Sequence, residues 1–312
     1  MVDAWPVLEP LAALLAALLL EKLLPEPVTA PWRAFRRLAG KLERKVNGDP
    51  KASGSQQKLA GALSLALLLL PIPLLALSLP QLLNPPLVLH TLMLWLALVW
   101  TPIRRDARRI AEALDKGERE AARSLLQRWV LRETGAMSDI GLAKTTVEML
   151  LLRLVRGRLS VLVWFLLLGP AAALVCRATW ELTHSWSCKS QRTHYFGRAA
   201  ARLQHLLEMP AVWLTIILLR LRPPQPITIE EAHSPIGRHT GRLLRHAAAS
   251  LHLRLGGPAV YDGHKRRRPR YNSGNEPTAA SIRETLALLR LHQGLWLSLI
   301  VLGYLLYALA VV

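Results

Sequence analysis

The stretch "LAGALSLALLLLPIPLLALSL", Leu59 to Leu79, contains no charged residue and no polar face. A surface helix of a soluble protein carries an apolar stripe, whereas this run is apolar all round, at about the 20 residues that a helix needs to cross hydrocarbon. Similar runs lie near 7–24, 85–103, 159–176, 209–221 and 294–312, the fifth in chain order being short. Apolar residues make up 52% of the 312, and they come in blocks. Strand signals are almost absent, and no repeat of 20 to 50 residues is found. These features predict an all-α, polytopic integral membrane protein with five to six transmembrane helices, a single membrane domain over 1–312, and amphipathic helical segments between the spans.

The net charge of +19 comes from 40 Lys and Arg against 21 acids, and it is concentrated between the runs. Residues 25–58 hold eight Lys/Arg against three acids, 101–158 thirteen against eight, and 220–291 thirteen against five, while the connection 80–84 holds no charge. The positive-inside rule therefore puts 25–58, 101–158 and 222–291 in the cytoplasm and, with six spans, both termini outside. Residues 177–208, with five Lys/Arg against two acids on the side expected to be external, break the pattern. The same rule explains the basic charge without nucleic acid, which leaves the lipid bilayer as the partner implied. The first run begins "MVDAW", carries Glu9 and ends "LLLEKLLPEP", which reads as a retained span, not a removable signal peptide. Cys176 and Cys188 read as free thiols.

Between the spans, residues 32–45 place Trp32, Phe35, Leu38 and Leu42 opposite Arg33, Arg37, Lys41 and Arg44, the pattern of an amphipathic helix on an anionic leaflet. Residues 103–131 read as a solvated helical hairpin turning at "DKGERE", and 230–254 as a basic helix. The latter runs into "LGGPAVYDG", Leu255 to Gly263. Gly256 and Gly257 permit positive φ, Pro258 fixes the exit, Tyr261 offers a ring and a hydroxyl, and Lys265, Arg266, Arg267 and Arg268 follow Gly263. Two readings stand: an anion nest for phosphate, or a helix C-cap and tight turn before a lipid-facing basic cluster.

Familiar chemical motifs are missing. Gly40–Lys41 lacks the first glycine of a phosphate loop, where Phe35 stands, and Leu42 follows it. No H-E-x-x-H or C-x-x-C occurs, and His239 and His246 have no carboxylate beside them, so no metal ligand set is assigned. Glu9 and Glu21 are twelve residues apart, too far for paired carboxylates; Glu21 suits a cation or amine at the cytoplasmic mouth, or simply the interface beside Lys22.

"RLGGPAVYDG", a basic loop with proline, and "TAASIRETLALLRLHQGLW" together resemble the C-terminal part of the CobD/CbiB family, membrane-bound adenosylcobinamide-phosphate synthases of cobalamin biosynthesis. The resemblance continues through "LLLEKLLPEPVTAPW" on Glu21, Glu26, Pro27 and Pro31, through "RRIAEAL" to "RETGAMS" on Arg132, Glu133 and Thr134, through "TTVEML" on Glu148, and through "HYFGRAAARLQHLLEMPAVWL" on Gly197, Ala201, Arg202 and Pro210. It implies a multi-pass protein of the bacterial inner membrane. The implied reaction joins adenosylcobyric acid, a corrinoid, to an aminopropanol phosphate, with ATP and magnesium as cofactors. Glu21, Glu26, Arg132, Glu133 and Glu148 are then the candidate catalytic residues, and Gly256, Gly257, Pro258, Tyr261 and Gly263 the candidate phosphate loop.

The departures bear on catalysis. Where the family has Glu-Asn-Thr-x-Asp-Gly this chain reads Leu152 to Gly157, keeping only the glycine and placing Arg156 at the aspartate. Trp180 to Ser185 stand where the family has Asn-x-Leu-Asp-Ser-Met, Gln204 and His205 replace an Asp-Asp pair, and an acid expected after "HSP" falls near Gly241. Arginine in place of an acid inverts the local field and removes metal ligands, which implies impaired catalysis. A more distant resemblance, to AmpE on "LLLEKLL" and "ARLQHLLEMPAVWL", implies the alternative: a non-catalytic inner-membrane sensor or scaffold with a membrane-protein partner, or a homo-oligomer.

Overall fold

The computed structural model describes residues 5–24, 29–48, 53–82, 86–98, 100–230 and 238–311. Among these, five helices are long and apolar enough to cross a membrane: Gly54–Leu79, Pro86–Asp115, Asp139–Ser185, Arg198–Leu219 and Ala279–Ala310. The protein is an all-α, polytopic membrane protein with only short strands. Its chain divides into two compact units.

The first unit comprises Met1–Val99, Arg156–Glu208 and Trp296–Val312. It contains α1 (Trp5–Leu23), α2 (Thr29–Val46), α3 (Gly54–Leu69), α4 (Pro71–Leu82) and α5 (Pro86–Ala97). Pro71 breaks α3 from α4, since proline lacks the amide a continuing helix would use. The core of the unit gathers Leu14, Leu94, Leu98, Val161 and Phe165. A second cluster packs Trp32 and Ala39 of α2 against Ala178, Leu182, Trp186 and Phe196.

In that cluster the Trp32 end of the expected Trp32–Phe35–Leu38–Leu42 lipid-facing stripe packs on protein. The Trp32 indole donates to the Leu96 carbonyl at 2.8 Å and the Trp186 indole to the Ala39 carbonyl at 3.1 Å, so Trp32, Ala39 and Glu43 turn inward. Leu38, one step round the helix, is 53% exposed.

The second unit comprises Trp100–Val155 and Met209–Leu295. The expected hairpin is α6 (Thr101–Asp115) and α7 (Arg119–Gln127), with Gly117 at φ +73° in the turn. Next comes α8 (Asp139–Leu154); a π-turn at Val155–Leu159 then leads into α9 (Ser160–Ser185), which belongs to the first unit, and α10 (Arg198–Arg220) starts in the first unit and ends in the second. Residues 177–208, which broke the charge pattern, are thus the end of α9, a turn region and the start of α10. The 209–221 run looked short because its helix begins at Arg198, among polar residues.

The basic segment folds as β1 (Thr228–Glu230), α11 (Arg238–Leu251), β2 (Arg254–Gly256), β3 (Ala259–Tyr261), β4 (His264–Arg266), β5 (Arg270–Asn272) and α12 (Ala279–Val311). Strands β1, β5 and β2 form an antiparallel sheet with Leu255 opposite Tyr271, and β3 pairs with β4. The helix-cap reading of "LGGP" is therefore corrected: α11 ends at Leu251, and Gly256 closes a strand. Three residues per strand are too few for an alternating pattern to register. The local signal is Asp262–Gly263, both at positive φ (+48° and +73°), the two-residue primed turn that suits a hairpin.

Candidate functional site

In the second unit, α8 carries Glu148 into the interior, where it is 1% exposed. Serine caps this helix, Ser138 Oγ accepting from the Gly141 amide at 3.3 Å, and Val147 and Leu151 on the same helix are fully buried. A carboxylate at such a place needs donors, and three meet it. Glu148 Oε1 accepts the Gly256 amide at 2.7 Å; Oε2 accepts the Arg132 Nη2 and, at 3.2 Å, the Arg268 Nη2.

Arg132 is buried as well, its Nε donating to the Tyr261 hydroxyl at 3.2 Å and its Nη1 to Thr145 Oγ1 at 3.4 Å. Burial alone would lower the Arg132 pKa. The charge of Glu148, followed by Tyr261 and the hydrogen bonds from both, outweighs it and holds the pKa above the ordinary arginine value. Arg268 Nε donates to the Gly257 carbonyl at 3.0 Å, which ties the end of the basic run to the glycine turn. Two guanidiniums thus share one carboxylate, an excess of one positive charge within a largely buried group.

The glycines make this geometry possible. Gly256 at φ +79° lies so close to the neighbouring strand that a Cβ would meet the Pro269 carbonyl oxygen at 2.2 Å. Its amide serves Glu148, the Gly257 amide donates to the Pro269 carbonyl at 2.9 Å, and the Gly263 amide donates to Glu133 Oε1 at 2.6 Å. Each of these three glycine amides has a protein acceptor. The Glu133 amide in turn donates to the Val260 carbonyl at 3.1 Å, and Glu133 itself is exposed. Pro258 is exposed between β2 and β3.

The structure therefore brings Arg132, Glu133, Glu148, Gly256, Gly257, Tyr261 and Gly263 into one cluster. Glu21 lies elsewhere, in the first unit, buried on α1 with its Oε2 accepting from Arg158 Nη1 at 2.5 Å. Glu26 lies outside the described residues. Cys176 and Cys188 are free. Arg268 was visible in the sequence only as one of four basic residues, and nothing there distinguished it from Lys265, which is exposed.

The first unit has a polar cluster of its own at the π-turn, a feature common at functional sites. Arg156 Nε donates to Glu208 Oε2 at 2.5 Å and its Nη2 to Oε1 at 3.3 Å, while His205 Nδ1 lies 3.4 Å from the same carboxylate. An acid in a run otherwise apolar was the available signal for Glu208.

The model of the CobD/Cbib protein family matches residues 14–289. The chain belongs to this family. It is 30% identical over 301 residues to "Cobalamin biosynthesis protein CobD" of Stutzerimonas stutzeri, covering 95% of this chain and 98% of the relative. A protein of the same name from Chromobacterium violaceum is 31% identical over 290 residues, covering 90% and 92%, and one from Mycobacterium tuberculosis 28% identical over 274, covering 84% and 85%. No solved structure matches. Arg156 and His205, which the resemblance sets where acids were expected, both meet Glu208 in this chain.

Proposed function

We propose that this chain, a cobalamin biosynthesis protein by family, condenses adenosylcobyric acid with an aminopropanol phosphate in the bacterial inner membrane. The observation that carries the reading is the surplus charge at Glu148. Two arginines on one buried carboxylate favour an added anion, and a guanidinium matches phosphate by geometry as well as charge. Arg132 and Arg268 then hold the phosphate group of the smaller substrate, and the loop from Gly256 to Gly263 fixes their positions through Glu148. Exposed Glu133, set by the Gly263 amide, suits the ammonium of the same substrate and takes its proton.

ATP, in such a reaction, supplies the activation of a carboxylate. A phosphate of ATP fits the same basic loop. Magnesium finds no ready ligand among the buried acids Glu148, Glu21 and Glu208: Glu148 has arginines and an amide on its oxygens, Glu21 pairs with Arg158 and Glu208 with Arg156, and no group of three or more metal-type ligands occurs among the described residues. No step is routed through a metal. Those arginine-occupied acids favour the second reading, a non-catalytic AmpE-like membrane sensor or scaffold.

The test is direct. Purified protein in lipid nanodiscs, given ATP, adenosylcobyric acid and aminopropanol phosphate, is expected to yield adenosylcobinamide phosphate, and a strain lacking its own synthase is expected to grow on cobyric acid when this chain is expressed. No product from folded protein, together with no growth and a co-purifying membrane protein, would establish the scaffold reading instead.

A further inference from the structure

We propose that the groove between α2 and α3 in the first unit binds one anionic glycerophospholipid, its acyl chain in the groove and its headgroup on Lys41 and Lys45. The groove encloses about 360 Å³, at the small end of ligand pockets, and is walled by Leu42 and Val46 from α2 and by Leu59, Leu63 and Leu67 from α3, with Ser64 at its floor. Leu59, Leu63 and Leu67 recur every four residues and are 63%, 64% and 62% exposed, a continuous apolar ladder. From Leu59 to Leu67 it runs about 12 Å at 1.5 Å per residue, less than half of a hydrocarbon core.

The polar end of the groove is fixed by the start of α3. Ser53 and Gln56 cap that helix reciprocally, and Lys58 is its last charged residue before the apolar run, its Nζ 5.7 Å from the Tyr195 ring centroid. This is where a span leaves water. On α2, Lys45 and Lys41 flank the Leu38–Leu42–Val46 stripe round the helix and are exposed, in the last two turns before the connection to α3. The one acid of α2 points elsewhere: Glu43 is buried and accepts from Arg192 Nε at 3.1 Å and Asn47 Nδ2 at 3.1 Å. Among the described residues neither lysine has an ion pair. An apolar groove that opens at the membrane surface beside lysines with no ion pair among the described residues complements a lipid with a negative headgroup, and a zwitterionic one less well.

The full chain, in nanodiscs of equal phosphatidylglycerol and phosphatidylcholine, is released and weighed by native mass spectrometry. One phosphatidylglycerol is expected to stay bound in preference to phosphatidylcholine. Lys41→Gln with Lys45→Gln is expected to cut that preference roughly tenfold, since each basic residue near a surface contributes about a fivefold factor before screening. Leu63→Trp, which fills the groove, is expected to reduce retention of both lipids, and Lys116→Gln, on the other unit, to change nothing. Equal retention of the two lipids by the native chain, a preference that survives loss of both lysines, or displacement of the lipid by inorganic phosphate would each overturn the proposal. Both lysines are exposed, so the double variant is read even where Leu63→Trp fails to fold.

Discussion

The polar cluster at the π-turn and the one around Glu148 use the same two residue types to opposite ends. Around the π-turn of the first unit, Arg158 pairs with Glu21 and Arg156 with Glu208, although further along the same unit Arg36 and Arg177 share Glu181. In the second, Arg132 and Arg268 converge on Glu148 alone, beside a strand whose glycine amide adds a third donor. Matched pairs inside apolar surroundings cancel charge and join helices. A mismatched group keeps a charge in reserve, which is what recognition of an anion requires. Burial alone does not separate the π-turn pairs from Glu148, since Glu21, Glu148 and Glu208 are all buried; stoichiometry separates these, and the glycine amide beside Glu148 is the further mark of that site.

Replacement of single acids should break this comparison most visibly. Glu148→Gln leaves two guanidiniums without their carboxylate, and is expected to cost about 3–5 kcal/mol of stability together with all synthase activity, read by thermal unfolding in detergent and by product formation. Glu208→Leu should cost somewhat less, about 3 kcal/mol, because Arg156 remains partly open to solvent, its side chain 28% exposed. The paired variant Arg156→Leu with Glu208→Leu should then return to within about 1 kcal/mol of the native protein, as matched pairs replaced by apolar residues often do. The paired variant Arg132→Leu with Glu148→Leu should not, since Arg268 stays behind. Activity lost in the first pair with stability intact would mean that the π-turn arginine acts on a substrate and is no mere bolt.

Arg268→Gln tests the reserve of charge itself. Glu148 keeps Arg132 and the Gly256 amide, so the fold should hold. Affinity for the phosphate-bearing substrate should drop, with KM raised about tenfold to a hundredfold, the worth of one charged hydrogen bond. A change in kcat with KM unmoved would instead place Arg268 at the reacting atoms.

The helical architecture was legible in the sequence because lipid imposes a simple rule, about twenty apolar residues in a run, and blocks such as Leu59–Leu79 satisfy it without help from tertiary contacts. The family resemblance led to Arg132, Glu133, Glu148 and the glycine loop, which the fold gathers although Glu148 and Gly256 are 108 residues apart. The pairing of Arg268 with Glu148 was not legible, since four adjacent basic residues look alike until a strand turns one inward. The short strands escaped for a related reason: three residues define no period, and the Asp262–Gly263 turn was the one local clue. On α2 the helix was legible and its face was not. Leu38 is more apolar than Ala39, yet the closer approach that Ala39 allows to Trp186 decided which side is buried.

The smallest effects lie in the glycine loop, where two positive-φ positions separate conformation from contact. Gly263→Ala meets nothing within 4 Å, so its cost is that of a left-handed residue alone, about 1–2 kcal/mol, and the Glu133 hydrogen bond survives. Gly256→Ala carries the same penalty and also drives a Cβ against the Pro269 carbonyl oxygen, so β2 must move away from the strand it pairs with. The amide that holds Glu148 moves with it. Gly256→Ala is therefore expected to exceed Gly263→Ala in thermal destabilisation and to raise the KM for the phosphate substrate, whereas Gly263→Ala should leave KM within about twofold. Equal effects of the two on KM would show that the hairpin acts as one piece, and that the charge at Glu148 is set by the whole loop and not by the single amide beneath it.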